Sequence, residues 1–572
     1  MDDIGAITSF DWLVITVYLL GITGLGLWAS RKVHSSSSLF MGDRQFGKWM
    51  MMFHTFGTGT HSDQAVGVAA KAYTTGASGI WYQWLWLFVT PFYWLIAPIF
   101  RRMRAVTTGE YFEARYGSSV AVLFALVGML QLMFSIGLML KGSSAMISAI
   151  SGGQINPDLA IFAMTVMFVI YGVAGGLSAA IITDFVQGLM TILLSFLLLP
   201  FALDAVGGLD GLRASIDNPA FFELVAPGEM GVFFVAVIAF NALIGWGCQP
   251  TSMAMCAAGK TEMVGRVGVT AGVLIKRVCT IAWVLTGLCA VAMYQGQSLD
   301  VDHVYGRMAH DLFPIIGPGL IGVFMASMLA SVMSSCDSLM IASSALFTQN
   351  IYRKLVSGTS KSDTHFLWVG RLASLAIVLV GVLFAFTIES VVSGLETFWK
   401  LSAMMGVAFW MGLFWRRGTP AAVWAGTLVS FATLLFAGEI AFIGWDFNAQ
   451  CADLLPAYMV WEGKLSLPWQ MIFYLTTGLA TFIIVSFNTR PMASESLDRL
   501  FACLRTPIQE WERETQAFTL PEGLEPEPRR PLIDHPDFEI PRPSVVGVVG
   551  FLGTWVAVGL LMASFLWILQ AS

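Results

Sequence analysis

Residues 53–64 read FHTFGTGTHSDQ and lie inside an apolar stretch, about 47–70, that is long enough to cross a bilayer. Gly57 and Gly59 loosen the helix at mid-membrane, where backbone groups released from helical pairing must find other partners. A second stretch, NALIGWGCQP at 241–250, interrupts the apolar run 231–258 with Gly245, Gly247 and Pro250. Each opens a block of five apolar segments, 47–205 and 231–415, and the two blocks are similar in length. One such stretch is well explained by glycines that let helices approach closely. A matched pair favours a transporter built from an inverted repeat, because unwound backbone frees carbonyls to bind a cation near the midplane.

The rest of the chain agrees with a membrane protein. It has 572 residues, 56% hydrophobic and 12% charged, with a mean hydropathy of +0.72, whereas a soluble protein carries about 25% charged residues. A soluble enzyme is therefore excluded, and a net charge of −6 is too small to imply nucleic acid. About fourteen apolar segments, from 11–30 to 545–569, predict an all-α integral membrane protein. The expected layout is a first transmembrane helix and loop at 1–46, a five-helix repeat at 47–205, an extracellular loop at 206–230, a second repeat at 231–415, two accessory helices at 416–487, a cytoplasmic loop at 488–544 and a last helix at 545–572. The acidic start, Met1-Asp2-Asp3, makes the first apolar run a retained helix rather than a cleaved signal. With both termini outside, 23 of the 31 basic residues fall in the cytoplasm, five fall outside, and Lys276, Arg277 and Lys400 lie within helices. The expected location is the cell inner (plasma) membrane. The segment 488–544, rich in proline and charge, has no period that buries a face and reads as an irregular, solvated tether. The seven cysteines stand singly, without a CxxC pair, and read as small core residues.

The densest chemistry is in MASMLASVMSSCDSLMIASSALFTQNIYRK, 325–354. Ser331, Ser334, Ser335 and Ser338 fall at i, i+3, i+4 and i+7 and share one helix face. Two such serines are explained by bonds to the preceding turn. Four, with Asp337 beside them, make an oxygen-rich stripe suited to a hard monovalent cation when it faces the carbonyls of a broken helix. Charges within the membrane cost roughly 2.5–3.5 kcal/mol each on the insertion scale, so each needs a reason. Asp184 and Asp337 are candidates to share or border a cation, and Lys276 to face a solute. Glu396 and Lys400, at i, i+4, read as a mutual ion pair; Arg277 has no partner assignable from sequence. His54 and His61, flanking the first break, read as neutral hydrogen-bonded residues. No HExxH, GxxxxGK[ST] or GxSxG pattern is present in a supporting context, so nothing recommends an enzyme or an ATP-driven pump.

At several places the residues resemble the sodium/solute symporter family, whose members carry sugars, proline and related solutes. The resemblance runs from about Ser38 to Trp415 and is strongest at YGVAGGLSAAIITDFVQG (171–188), with support from TTGEYFEARYG (107–117), MSSCDSLMIASSALFTQNIYRK (333–354) and GLFWRRGTPAA (412–422). It implies a five-plus-five inverted-repeat, LeuT-like fold, with a sodium site built from the backbone carbonyls of Gly57, Thr60 and Ser331 and the hydroxyls of Ser334 and Ser335. A second sodium in some members maps to Asp184, Ser334, Asp337 and Ser338. The family's solute positions map to Gln83, Trp86, Gln249 and Lys276. Gln83 replaces the sugar-binding glutamate, Trp86 replaces a serine, and Leu395 falls where sugar carriers have a glutamine, all of which argue against a bulky sugar; Lys276 suits an anionic or hydroxyl-bearing solute.

The expected function is secondary active transport, coupling inward sodium flow to uptake of a small polar organic solute by alternating access. Na⁺ is the coupling ion, with no cofactor. The expected partners are the solute, sodium and the lipid bilayer, not nucleic acid, with the chain a monomer or weak homo-oligomer. The alternative is a transporter-like solute sensor acting through a partner at the 488–544 loop.

Overall fold

The structure, a computed structural model, describes residues 7–31, 40–41, 44–226, 230–356, 361–440, 444–509, 511–512 and 516–570, without the side chains of 30, 171–175, 178 and 440. The chain enters through α1 (Ser9–Ser30), capped by a reciprocal pair in which Asp11 N donates to Thr8 Oγ1 (3.2 Å) and Thr8 N to Asp11 Oδ2 (2.9 Å). Both predicted interruptions are present. Thr60 and His61 take extended backbone, with φ of −129° and −141°, and divide the second segment into α2 (Lys48–Gly59) and α3 (Ser62–Thr75). Short turns then carry Gln83 and Trp86 to α4 (Thr90–Arg102), followed by α5 (Thr108–Tyr116), α6 (Ser118–Ile150) and α7 (Pro157–Leu197). α7 bends at Gly176, whose φ of +57° a side-chain-bearing residue seldom adopts. The second interruption separates α8 (Val232–Trp246) from the short α9 (Ser252–Ala257).

Then come α10 (Glu262–Met293), α11 (Val304–Ile316), α12 (Leu320–Ala345), α13 (Asp363–Thr387), α14 (Val391–Ala403), α15 (Gly406–Phe414), α16 (Pro420–Phe436), α17 (Leu467–Asn488), α18 (Ser494–Arg505) and α19 (Val545–Gln570). Two two-residue antiparallel ribbons, β1 (Glu439–Ile440) with β2 (Trp445–Asp446) and β3 (Val460–Trp461) with β4 (Lys464–Leu465), lie between α16 and α17. Among the described residues eight helices are long and apolar enough to cross a membrane, and three apolar helices are shorter. The fourteen apolar segments therefore do not form fourteen unbroken helices. The stretches 47–70, 80–100, 231–258 and 394–415 are each divided, and their pieces are too short to span alone.

Burial grades from centre to rim. In α12, 89% of the membrane-length window is buried, against 22% in α1 and 17% in the last helix. α12 is therefore the axis, packed chiefly on α7, while α1 and α19 turn apolar side chains such as Leu20 and Trp567 outward. That outward face suits lipid.

The 488–544 segment corrects the sequence reading. It is largely irregular, but it is docked as a strap. α18 buries Leu497, Leu500, Phe501 and Cys503. Phe518 N donates to Met103 O (3.0 Å) and Glu539 N to Phe414 O (2.9 Å), while Arg416 N donates to Asp537 O (2.8 Å). Met103 and Phe414 stand at the C-terminal ends of α4 and α15, where helices leave carbonyls without internal partners. Arg104, left-handed at φ +56°, makes a bidentate pair with Glu512 (2.7 and 2.9 Å), with both side chains buried.

Candidate functional site

The site grows from the end of α2. A helix that stops at Gly59 leaves its last carbonyls unpaired, and α12 brings hydroxyls to them. Ser335 Oγ donates to Gly57 O (2.8 Å), and Thr58 Oγ1 donates to Ser338 Oγ (2.9 Å). Gly57 is what permits the approach, since a Cβ there would stand 2.5 Å from Ser334 Oγ and 3.5 Å from Asp184 Cβ and Cγ. Ser334 Oγ in turn donates to Asp184 Oδ1 (2.5 Å), and His54 Nδ1 meets Asp184 Oδ2 (2.7 Å). The four serines of the stripe, with Asp184 and His54, are buried.

Of the first sodium set, Gly57, Ser334 and Ser335 are thus brought together at the break. Ser331 lies one turn earlier on the same face and Thr60 at the break itself; both hydroxyls are buried with no hydrogen-bond partner among the described residues. Of the second set, Asp184 and Ser334 touch, while Ser338 turns to Thr58. Asp337 is buried within electrostatic reach of Tyr18 on α1, which itself accepts from Gln187 Nε2 (3.4 Å). His54 as the partner of Asp184 escaped the sequence reading. The signal was available, because His54, Gly57 and Thr58 fall at i, i+3 and i+4 on one face.

Beside the break lies a cavity of about 100 Å³, where about 10–15 Å³ suffices for one ordered water. All four predicted solute residues, Gln83, Trp86, Gln249 and Lys276, line it, as does Leu395, and no Asp or Glu is among its lining residues. Lys276 Nζ donates to Gly59 O, the last carbonyl of α2, and stands 5.6 Å from the Trp86 ring centre. An ammonium is favoured at a helix C-terminus. Gln83 is fully buried, and neither its Oε1 nor its Nε2 has a partner among the described residues; the same holds for Trp86 Nε1. Arg277, left unassigned by the sequence, donates to the Gln83 carbonyl (2.7 Å). The expected Glu396–Lys400 pair gives way to separate partners: Tyr82 donates to Glu396 Oε1 (2.5 Å), and Lys400 reaches Gln470 Oε1 (3.4 Å). Residues at i, i+4 are neighbours, but other helices compete for them. His61 pairs with Asp63 and, through Nε2, with Gln64 Nε2 (2.8 Å).

Gly57→Ala tests the close approach. The added methyl turns the Ser334 hydroxyl away from Asp184, and overpacking of this kind costs about 1–3 kcal/mol. The purified variant is expected to melt at a clearly lower temperature than wild type; an unchanged melting temperature refutes the contact.

Comparison with known proteins gives the family and the fold. The chain is 23% identical over 481 residues to a sodium/glucose cotransporter of Vibrio parahaemolyticus, covering 75% of this chain and 85% of that one. It is 25% identical over 466 residues to a high-affinity proline transporter of Bacillus subtilis, covering 76% and 94%. Its fold matches the structure of a Na⁺-coupled sialic acid symporter in a substrate-bound outward-open state, with a TM-score of 0.70 at 18% identity, over 85% of this chain and 99% of that one. Family and relatives are transporters rather than enzymes. The profile described as the sodium:solute symporter family matches residues 39–429, and the chain belongs to that family.

Proposed function

We propose that the chain couples inward Na⁺ flow to uptake of a small polar organic solute by alternating access between two inverted five-helix repeats, from a cell inner membrane with both termini outside. The observation that carries this reading is the meeting of Ser334 and Ser335 with the Gly57 carbonyl and Asp184 at the end of a broken helix. Neutral and singly charged oxygens from two elements suit a hard monovalent cation. Sodium at the break takes the carbonyls of Gly57, Thr60 and Ser331 and the hydroxyls of Ser334 and Ser335; a second ion takes Asp184, Ser334, Asp337 and Ser338. Because α2 and α12 each supply ligands, the ion favours the state in which they meet, and coupling requires such a difference in affinity. One Na⁺ crossing about 100 mV releases about 2.3 kcal/mol and a tenfold gradient adds about 1.4, enough to accumulate a neutral solute about 500-fold.

The solute occupies the neighbouring cavity against Gln83, Trp86, Gln249 and Lys276. The unpartnered donors of Gln83 and Trp86, with the Lys276 ammonium and no lining carboxylate, favour a solute rich in acceptors, a carboxylate included. Purified protein is screened for thermal stabilisation by small solutes with and without Na⁺. A solute that stabilises only with Na⁺ identifies the cargo, and Lys276→Gln weakens that stabilisation at least tenfold in solute concentration while Na⁺ binding persists. Stabilisation indifferent to Na⁺ counts against symport, and binding without flux in proteoliposomes favours a sensor.

A further inference from the structure

A second cavity, about 400 Å³, lies between the strap and the ends of α4 and α15. Its lining joins the apolar Ile99, Leu413 and Phe414 of the two helix ends to Arg102, Arg505, Arg529, Arg530 and Arg542, with Glu527 and Glu539. Arg102 is satisfied from outside the cavity by a bidentate pair with Glu262 (2.7 and 2.9 Å). Four guanidiniums then face two carboxylates, and Glu539 is already shared by Arg416 (2.6 Å), Arg505 (3.4 Å) and Arg529 (3.2 Å). The backbone holds the remaining two together. Leu532 N donates to Ile540 O (2.7 Å) and Arg542 N to Arg530 O (3.4 Å), so Arg530 and Arg542 sit opposite each other across a ribbon. Like charges directly opposite on a ribbon are destabilising. Arg542 Nε is met only by the Pro531 carbonyl (3.2 Å), and the Arg530 guanidinium has no acceptor among the described residues. Arg505 is pushed below the usual arginine range, first by burial and then by repulsion from Arg529 and Arg416, partly offset by Glu539.

We propose that this cavity binds a phosphate group and that the bound group fastens the strap to the ends of α4 and α15. An excess of two positive charges matches a phosphate monoester, which carries about −1.5 to −2 at neutral pH. Guanidinium forks fit phosphate oxygens in pairs. The apolar residues of the helix ends accommodate the group whether it is the headgroup of an anionic lipid or part of a soluble phosphorylated molecule. α4 also supplies Tyr93 to the solute cavity, so fastening its other end reaches the transport path.

The test uses the full chain in nanodiscs of zwitterionic phosphatidylcholine. In one arm inorganic phosphate is titrated at constant ionic strength against chloride; in the other, phosphatidic acid replaces a fraction of the lipid. The expected result is binding or a raised melting temperature in at least one arm, with apparent affinity at least tenfold weaker in Arg530→Gln/Arg542→Gln. A response to phosphate alone assigns a soluble ligand, and a response to phosphatidic acid alone assigns a lipid. No response in either arm overturns the proposal, as does a response that the double variant retains in full. If the double variant does not fold, Arg530→Gln alone carries the comparison, since that exposed side chain makes no hydrogen bond or ion pair among the described residues. None of these readouts requires transport, so they stand apart from the function proposed above.

Discussion

Sodium-driven uptake is expected to fall at least 100-fold in Ser334→Ala/Ser335→Ala, with ²²Na⁺ binding to the purified variant weakened to a similar degree. Two hydroxyl oxygens leave the break at once, and a hydrogen bond to a charged group is worth about 1.5–3 kcal/mol, so at the proposed ion site the pair is expected to account for about 3–6 kcal/mol of affinity. The fold itself loses less. Asp184 Oδ1 gives up the donor it has in Ser334 (2.5 Å), and an unsatisfied buried acceptor costs about 1–3 kcal/mol. His54 still engages the other oxygen at 2.7 Å. The variant is therefore expected to purify as a folded protein that no longer responds to sodium. Half-saturation by Na⁺ at the wild-type concentration removes the ion from this place.

Arg104→Ala is expected to have the largest effect on stability. The Arg104 and Glu512 side chains are 0% and 2% exposed and joined by two short bonds, and Arg104 also donates to Arg102 O (3.0 Å). Removing one partner of such a pair leaves the other charge buried, which costs about 3–5 kcal/mol. Melting of the solubilised variant, followed by intrinsic fluorescence, is expected at a clearly lower temperature. Arg104→Ala/Glu512→Gln should recover part of the loss, because no uncompensated carboxylate then remains. A single variant as stable as wild type removes the strap as a structural member.

Where composition and period act alone, the sequence is legible. Gly57, Gly59, Gly245, Gly247 and Pro250 place both helix interruptions because a helix cannot hide the loss of its backbone pairing. The spacing of Ser331, Ser334, Ser335 and Ser338 gives one face directly. The positions Gln83, Trp86, Gln249 and Lys276, which the family resemblance marks for a solute, all line one cavity. What could not be read were choices among several chemically adequate partners. Glu396 and Lys400 stand at the right spacing for each other, but Tyr82 and Gln470 reach them first. Asp184 has many donors within the chain, and only packing selects His54. The strap escaped for a different reason. Leu497, Leu500 and Phe501, at i, i+3 and i+4, carry the period of α18, but the strap's other attachments are backbone bonds to helix ends and ion pairs such as Arg104–Glu512, whose partners lie far apart in the chain and leave no local pattern.

The strap also has a bearing on biogenesis. Arg104 and Glu512 are separated by 408 positions, so the guanidinium emerges from the ribosome long before its carboxylate exists. Until that last part of the chain is synthesised, the termini of α4 and α15 stay hydrated and their carbonyls bond to water instead. Maturation thus closes in a fixed order, with one flank of the bundle sealed only at the end of translation. A nascent chain arrested before residue 512 should be cut by protease near Arg104, where the finished protein resists.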